Sequence, residues 1–391
     1  MNPCLFDQLQ ATLHSQGPSV AIEQLCESLR ADGEYHLLFY ALLLKKRHEL
    51  GVHPVPTGPA SALPPESHAA YEEGIRAAAR EVGHALLQRG EIVPAWSYFR
   101  MIEEPEPVRA ALANYQPDDS ERLQGLIQLA LYEGLDPQRG FEWILQHYGT
   151  CNAITTLSGA EHLTEEQRRY CIRALVRTLY HDLRSNLTTL ISEHEGNAPP
   201  EAQAPRDTPG VLLQLIAQRD WLFAEDAYHI DTSHLSSVVQ MSMHLTPCLE
   251  LDLARELCVY GCKLSGRFLA QDDVPFERGY ADYRVYLDIL AGHQVEQGLA
   301  HFRGKLEAAD PDQLGTYPAE VLVNLYLKLG RGREAIAVAR QYLREVSGRP
   351  LTCPNLNELC QKTGEYGLLA ETAREQGDPV HFLAGLLASQ S

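Results

Sequence analysis

The stretch Tyr326-Leu-Lys-Leu-Gly-Arg-Gly-Arg-Glu-Ala-Ile-Ala-Val-Ala-Arg-Gln-Tyr342 decides the fold of this chain. It joins two apolar helical segments through a tight turn at Gly330, and Ala335 and Ala339 follow at helical spacing. Glycine readily takes the left-handed backbone that ends a helix, and small side chains let two helices approach closely. The stretch therefore predicts a helix, a turn and a second, antiparallel helix.

The same pattern recurs elsewhere in the chain. Gly364 lies 34 residues after Gly330, and Gly90 near the front is followed five residues later by Ala95. A further trace begins at Gly33. These residues resemble the tetratricopeptide repeat, whose period is about 34 residues. The resemblance implies stacked antiparallel helix pairs with a concave side that binds peptides or proteins.

Apolar residues recur at spacings of three and four along the rest of the chain, as in Leu175, Leu179 and Leu183. This period is typical of amphipathic helices, and we find no run of alternating polar and apolar residues that would predict a strand. The expected fold class is all-α, a curved α-solenoid of antiparallel, tetratricopeptide-like helix pairs with negligible sheet. The middle of the chain, from about residue 123 to 303, shows no constant period.

Two proline-rich segments are predicted to divide the helical blocks. Residues 52–67 contain five prolines and residues 196–210 contain four. The predicted organisation is a helical block at 1–51, a linker at 52–67, a helical repeat block at 68–195, a linker or loop at 196–210 and a helical block at 211–391. The last block holds a candidate site at 221–245 and the tetratricopeptide-like repeats at 316–389.

Composition restricts the possible partners. The formal net charge is −19, and we find no cluster of lysine and arginine that could follow a phosphate backbone, so nucleic acid is not an expected partner. We find no apolar stretch near the roughly 20 residues that cross a bilayer, and we expect no membrane partner. Without a recognisable signal peptide, a cytoplasmic location is the default expectation.

One segment has an unusual density of groups that could bind a metal or transfer protons. Within ten residues lie Glu225, Asp226, His229, Asp231 and His234, with Tyr228 among them. Histidine nitrogen and carboxylate oxygen bind zinc, iron or manganese, and His229, Asp231 and His234 are the candidate ligands. Glu225, Asp226 and Tyr228 are then the candidate catalytic residues. The alternative is that Asp231, Thr232 or Ser233 caps the helix that follows.

Arginines 168, 169, 173 and 177 recur along one predicted helix. We interpret them as a solvated face paired with local glutamates, and an anion-binding role is the alternative.

Two functions remain open at this point. One is a binding or scaffold protein that holds a peptide, a protein, a small polar molecule or a second copy of itself in its concave groove. The other is a metal-dependent enzyme, a hydrolase or isomerase of a small polar substrate, with its site at residues 225–234.

Overall fold

The structure is a computed structural model, and it describes residues 4–56, 63–116, 120–268, 273–309, 315–343 and 351–390. Within these ranges all the regular elements are helices and there is no β-strand, so the predicted all-α class is confirmed. The described residues form two compact units, with the division between His147 and Tyr148. In the described part of the chain no helix is both long and apolar enough to cross a membrane.

The first unit is largely a sequential stack, in which each of the first five helices packs on the next along the chain and the seventh packs on the fifth. Its helices are α1 (Cys4–Gln16), α2 (Pro18–Asp32), α3 (Tyr35–Glu49), α4 (Pro65–Gln88), α5 (Ile92–Met101), α6 (Glu106–Asn114) and α7 (Ser120–Ile127). A π-helical turn at Gln128–Tyr132 continues α7. Helix α8 (Pro137–Gly159) contains a break at Gly149, where φ is 80° and ψ is 177°.

The second unit begins with a cluster of helices and ends with a sequential stack. The cluster contains α9 (Glu165–Glu195), α10 (Val211–Ile216), α11 (Thr232–Met241), α12 (Leu249–Lys263) and α13 (Tyr280–Leu290). The stack continues with α14 (Val295–Ala308), α15 (Tyr317–Lys328), α16 (Gly332–Tyr342), α17 (Leu356–Thr363), α18 (Tyr366–Gln376) and α19 (Pro379–Ala388). Short 3₁₀ turns lie at Pro200–Gln203, Asp220–Asp226, Ser242–His244 and Gly266–Phe268.

One turn geometry recurs between helices at both ends of the chain. Gly33, Gly90, Gly330 and Gly364 have φ values of 72°, 74°, 71° and 72°. In each turn the residue after the glycine donates its N–H to a carbonyl five residues earlier, as in Arg331 N to Tyr326 O at 2.8 Å. This is the Schellman arrangement, which satisfies the last carbonyls of a helix. The glycine pattern in the sequence therefore marks equivalent turns in the structure.

The side chains after these turns also repeat. Ala95 and Phe99 on α5 are fully buried, and Ala335 and Ala339 occupy the same positions on α16. A β-carbon on Gly332 would lie 2.5 Å from the methyl carbon of Thr363, which shows how closely α16 approaches α17. Consecutive helices in the α13–α19 stack pack on one another in the manner of a helical repeat.

The α9–α13 cluster is organised differently, because helices distant in sequence pack together. Helix α9 contacts α10, α11 and α12. Tyr180 on α9 donates to Glu256 on α12 at 3.0 Å, and Leu212 N on α10 donates to Tyr180 Oη at 3.2 Å. Such contacts leave no fixed period in the sequence, which explains why the repeat pattern is weak in the middle of the chain.

Candidate functional site

The predicted site segment is a loop that joins α10 to α11. Its first part is the 3₁₀ turn that ends at Glu225 and Asp226, whose φ values are 53° and 58°. Glu225 is exposed, and the carboxylate of Asp226 forms an ion pair with Arg267 at 2.5 Å. Hydrogen bonds from Ser265 and Arg267 lower the pKa of Asp226. Asp226 is therefore ionised and held by neighbouring side chains.

Asp231 occupies the N-cap position of α11. Its Oδ1 accepts hydrogen bonds from Ser233 N at 2.8 Å, Ser233 Oγ at 2.6 Å and His234 N at 3.2 Å. These bonds, that of the Ser233 side chain foremost, lower the pKa of Asp231. Asp231 thus satisfies the N–H groups that the first turn of α11 leaves unpaired.

His229 is held against α12 by a tyrosine. The backbone N–H of His229 donates to Tyr260 Oη at 2.9 Å, and its ring Nδ1 lies 3.0 Å from the same oxygen. Asn186 on α9 donates to the His229 carbonyl at 2.8 Å, so the loop is tied to two helices. Burial lowers the pKa of His229, and the nearby Leu222 carbonyl opposes this shift. Its Nε2 is buried and makes no hydrogen bond of ordinary geometry to the described residues.

Tyr228 points away from this arrangement. Its side chain is 56% exposed, and its ring meets Phe268 edge to face at 5.1 Å. The candidate residues thus contact different neighbours, and no three histidine, cysteine or acidic side chains within the described ranges are grouped so that they could hold a metal ion. Zinc, iron or manganese binding by His229, Asp231 and His234 stays a prediction.

A surface cavity of about 390 Å³ lies beside α9 and α11 in the second unit. We call it the α9–α11 groove. Among its lining residues are Leu157, Arg168, Ile172, Met241, Met243 and His244. The lining therefore combines apolar side chains, two flexible methionine thioethers, a guanidinium cation and an imidazole.

Two basic side chains are partly desolvated here: His244, which lines the groove, and Lys328, whose charge acts on His244. His244 and Lys328 both have exposed surface, yet surrounding protein lowers the pKa of each by partial exclusion of water. The charges of Lys328 and Arg168 further lower the pKa of His244, while Glu165 opposes them.

The arginines of α9 have different partners along the helix. Arg177 pairs with Glu250 at 3.3 Å, as the solvated-face interpretation expects. Arg168 instead donates to the carbonyls of Leu157 and Ala160, and Arg169 donates to the carbonyl of Glu165. Arg173 makes neither a hydrogen bond nor an ion pair with the described part of the chain. Pairing with local glutamates thus accounts for one of the four.

Farther along α9, a loop is fastened to this helix by Arg184. We call residues 199–210 the strap. The buried guanidinium of Arg184 donates to four of its carbonyls: those of Glu201 at 3.0 Å, Ala204 at 2.5 Å, Pro205 at 2.6 Å and Arg206 at 3.1 Å. The strap ends where Gly210 N donates to Glu256, whose pKa is raised by burial. The proline-rich segment 196–210 is therefore a loop packed on α9.

The sequence indicated the arginine row, by which we mean Arg168, Arg169, Arg173 and Arg177, but it did not indicate the groove beside this row. Lys328 and Met241 are 87 residues apart in the chain, and only the packing of the second unit brings their surroundings together. The recurrence of arginines along α9 was the one feature of the sequence that pointed to this region. In comparisons with known proteins, no family model, no curated protein and no solved structure matches this chain.

Proposed function

We propose that this chain is a tetratricopeptide-like helical-repeat protein that binds a peptide or protein segment in the α9–α11 groove. The observation that carries the proposal is the groove itself, with its recess of about 390 Å³ and its mixed lining. Sites that bind ligands are commonly concave and mainly apolar, with a few polar groups that fix orientation.

The lining suits a peptide side chain. Met241 and Met243 present unbranched, polarisable side chains that adapt to different apolar partners, a use of methionine common at peptide-binding surfaces. Ser237 and Gln240 add hydrogen-bonding groups at the same face of α11. The recurring helix pairs support the same class of function, because stacked repeats commonly present binding surfaces.

The test is a selection of random 12-residue peptides displayed on phage against the full-length chain. We expect selected peptides to bind the wild type and to lose binding to Ser237→Trp, because an indole at this half-buried lining position fills the groove. The matched control is Ser97→Trp, which places the same ring on an exposed position of α5 in the first unit.

Two results would contradict the proposal. One is that repeated rounds of selection enrich no peptide above an unrelated immobilised protein. The other is that the enriched peptides bind Ser237→Trp as tightly as wild type while circular dichroism shows the variant to be folded.

A further inference from the structure

We infer that the α9–α11 groove and the arginine row beside it bind an extended acidic segment, with carboxylates at alternate positions, from a partner protein. This inference rests on the proposed function and specifies its ligand. Three observations support it: the charge of the row, the spacing of the row and the composition of the rest of the chain.

Cationic side chains gather at this place without carboxylate partners. Arg168 and Arg169 donate to backbone carbonyls, and Arg173 and Lys328 make no hydrogen bond or ion pair with the described residues. Among the nearby acidic groups, Glu165 attracts Lys328 and His244, Glu250 is paired with Arg177, and Glu166 is exposed in the first turn of α9.

Carboxylates are abundant in this chain, and many of its arginines are paired with them. It contains 52 acidic residues against 33 lysines and arginines. Elsewhere the exposed Arg333 is paired with Glu365, the residue before α18, and the half-buried Arg340 is paired with Glu375 on α18. Cations that remain unpaired in acidic surroundings present a local positive surface, which favours a negatively charged ligand.

The spacing of the row indicates the form of the ligand. Arg169 and Arg173 are four residues apart on α9, so their positions differ by about 6 Å along the helix axis. In an extended peptide, side chains at alternate positions point the same way and are about 6.7 Å apart. Two carboxylates in an acidic-x-acidic pattern can therefore each meet one arginine.

The groove completes the description of the ligand. The apolar lining from Ile172, Met241 and Met243 lies beside the arginine row and can take one apolar side chain. The expected motif is thus two acidic residues at alternate positions, next to one apolar residue. Nucleic acid also carries negative charge, but the net charge of −19 disfavours a polyanion of that length.

The experiment uses the peptides selected as described above and measures their affinity by fluorescence polarisation. We expect enrichment of aspartate and glutamate at alternate positions, and a loss of roughly tenfold in affinity for the double variant Arg169→Ala and Arg173→Ala. Affinity should fall as salt rises. Arg374→Ala is the matched control, because Arg374 is an exposed arginine on α18 without a described ion pair.

Each of the other four outcomes would overturn the acidic ligand, the role of the row or both proposals. Neutral peptides that bind wild type and fail on Ser237→Trp would overturn the acidic ligand while the proposed function stands. Acidic peptides whose affinity is equal for wild type and the double variant would overturn the role of the row. Failure to select any peptide would overturn both. A 12-nucleotide single-stranded DNA that competes with the peptides at equal or lower concentration would assign the row to nucleic acid instead.

Discussion

Replacement of Arg184 by methionine tests whether one buried cation fastens the strap to α9. Methionine keeps much of the aliphatic length and removes every hydrogen-bond donor. The four carbonyls of residues 201, 204, 205 and 206 would then lose their common partner. The carbonyls of Ala204 and Arg206 would need water or remain unsatisfied, whereas those of Glu201 and Pro205 keep the backbone donors Ala204 N and Thr208 N.

The size of the effect follows from those four contacts. A hydrogen bond to a charged group contributes about 1.5–3 kcal/mol, so four would set an upper limit of roughly 6–12 kcal/mol. The actual loss is smaller, because the strap can move outward and hydrate its carbonyls. A buried acceptor left without its donor costs about 1–3 kcal/mol, and because two carbonyls would lose their one described donor we expect Arg184→Met to cost about 3–5 kcal/mol.

Native-state hydrogen exchange read by mass spectrometry measures this effect locally. We expect the opening free energy of amides in α9 and α12 to fall by about 3–5 kcal/mol, and amides of the strap to lose protection. The control is Arg206→Ala, since Arg184 binds the carbonyl of Arg206 and not its exposed side chain. A loss below about 1 kcal/mol in Arg184→Met, or one equal to that of the control, would refute this account of the strap.

Three further predictions concern other parts of the second unit. Asp231→Ala should lower the free energy of unfolding by about 1 kcal/mol in urea titration, whereas Asp231→Asn should keep the N-cap; equal losses would contradict the capping role. Gly385→Ala should destabilise α19 by about 1–3 kcal/mol in hydrogen exchange, because the new β-carbon would lie 2.8 Å from two backbone atoms. Gly304→Ala is the control: its β-carbon would meet open space, so this change should stabilise α14 by roughly 0.5–1 kcal/mol. Burial raises the pKa of Glu256 above 4.5. The stability that this residue contributes is therefore fully present below pH 4.5 and falls as the pH rises through the raised pKa. Urea titrations should show this fall for wild type and not for Glu256→Gln.

The terminal parts of the fold could be predicted because their information is local. A left-handed glycine such as Gly330 or Gly364, followed by small residues at helical spacing, specifies a turn within one short stretch. The middle could not be predicted in the same way. Tyr180 and Glu256 are 76 residues apart, and a hydrogen bond across that distance leaves no pattern in either neighbourhood.

In the candidate segment, too, local features could be predicted from the sequence, whereas contacts with distant residues could not. Asp231, Thr232 and Ser233 could be named as candidate N-caps from their position before an amphipathic helix, and Asp231 is the N-cap. The partner of His229 could not be named, because Tyr260 belongs to another helix. Residue type alone indicates what a side chain can bind, and its actual contacts depend on packing between distant elements. The division into two compact units falls within the bounds of α8, where the sequence has no proline cluster.

The contact between Arg184 and the strap is made entirely to main-chain oxygen, which every amino acid carries. The anchor therefore recognises the path of the backbone and is indifferent to the side chains along it. Residues at 203 and 206, which are exposed, can change identity without loss of the fastening. These two positions can therefore diverge in sequence, or carry a foreign side chain or label, while the local architecture is kept, whereas Asp207 also contacts α9 through its side chain.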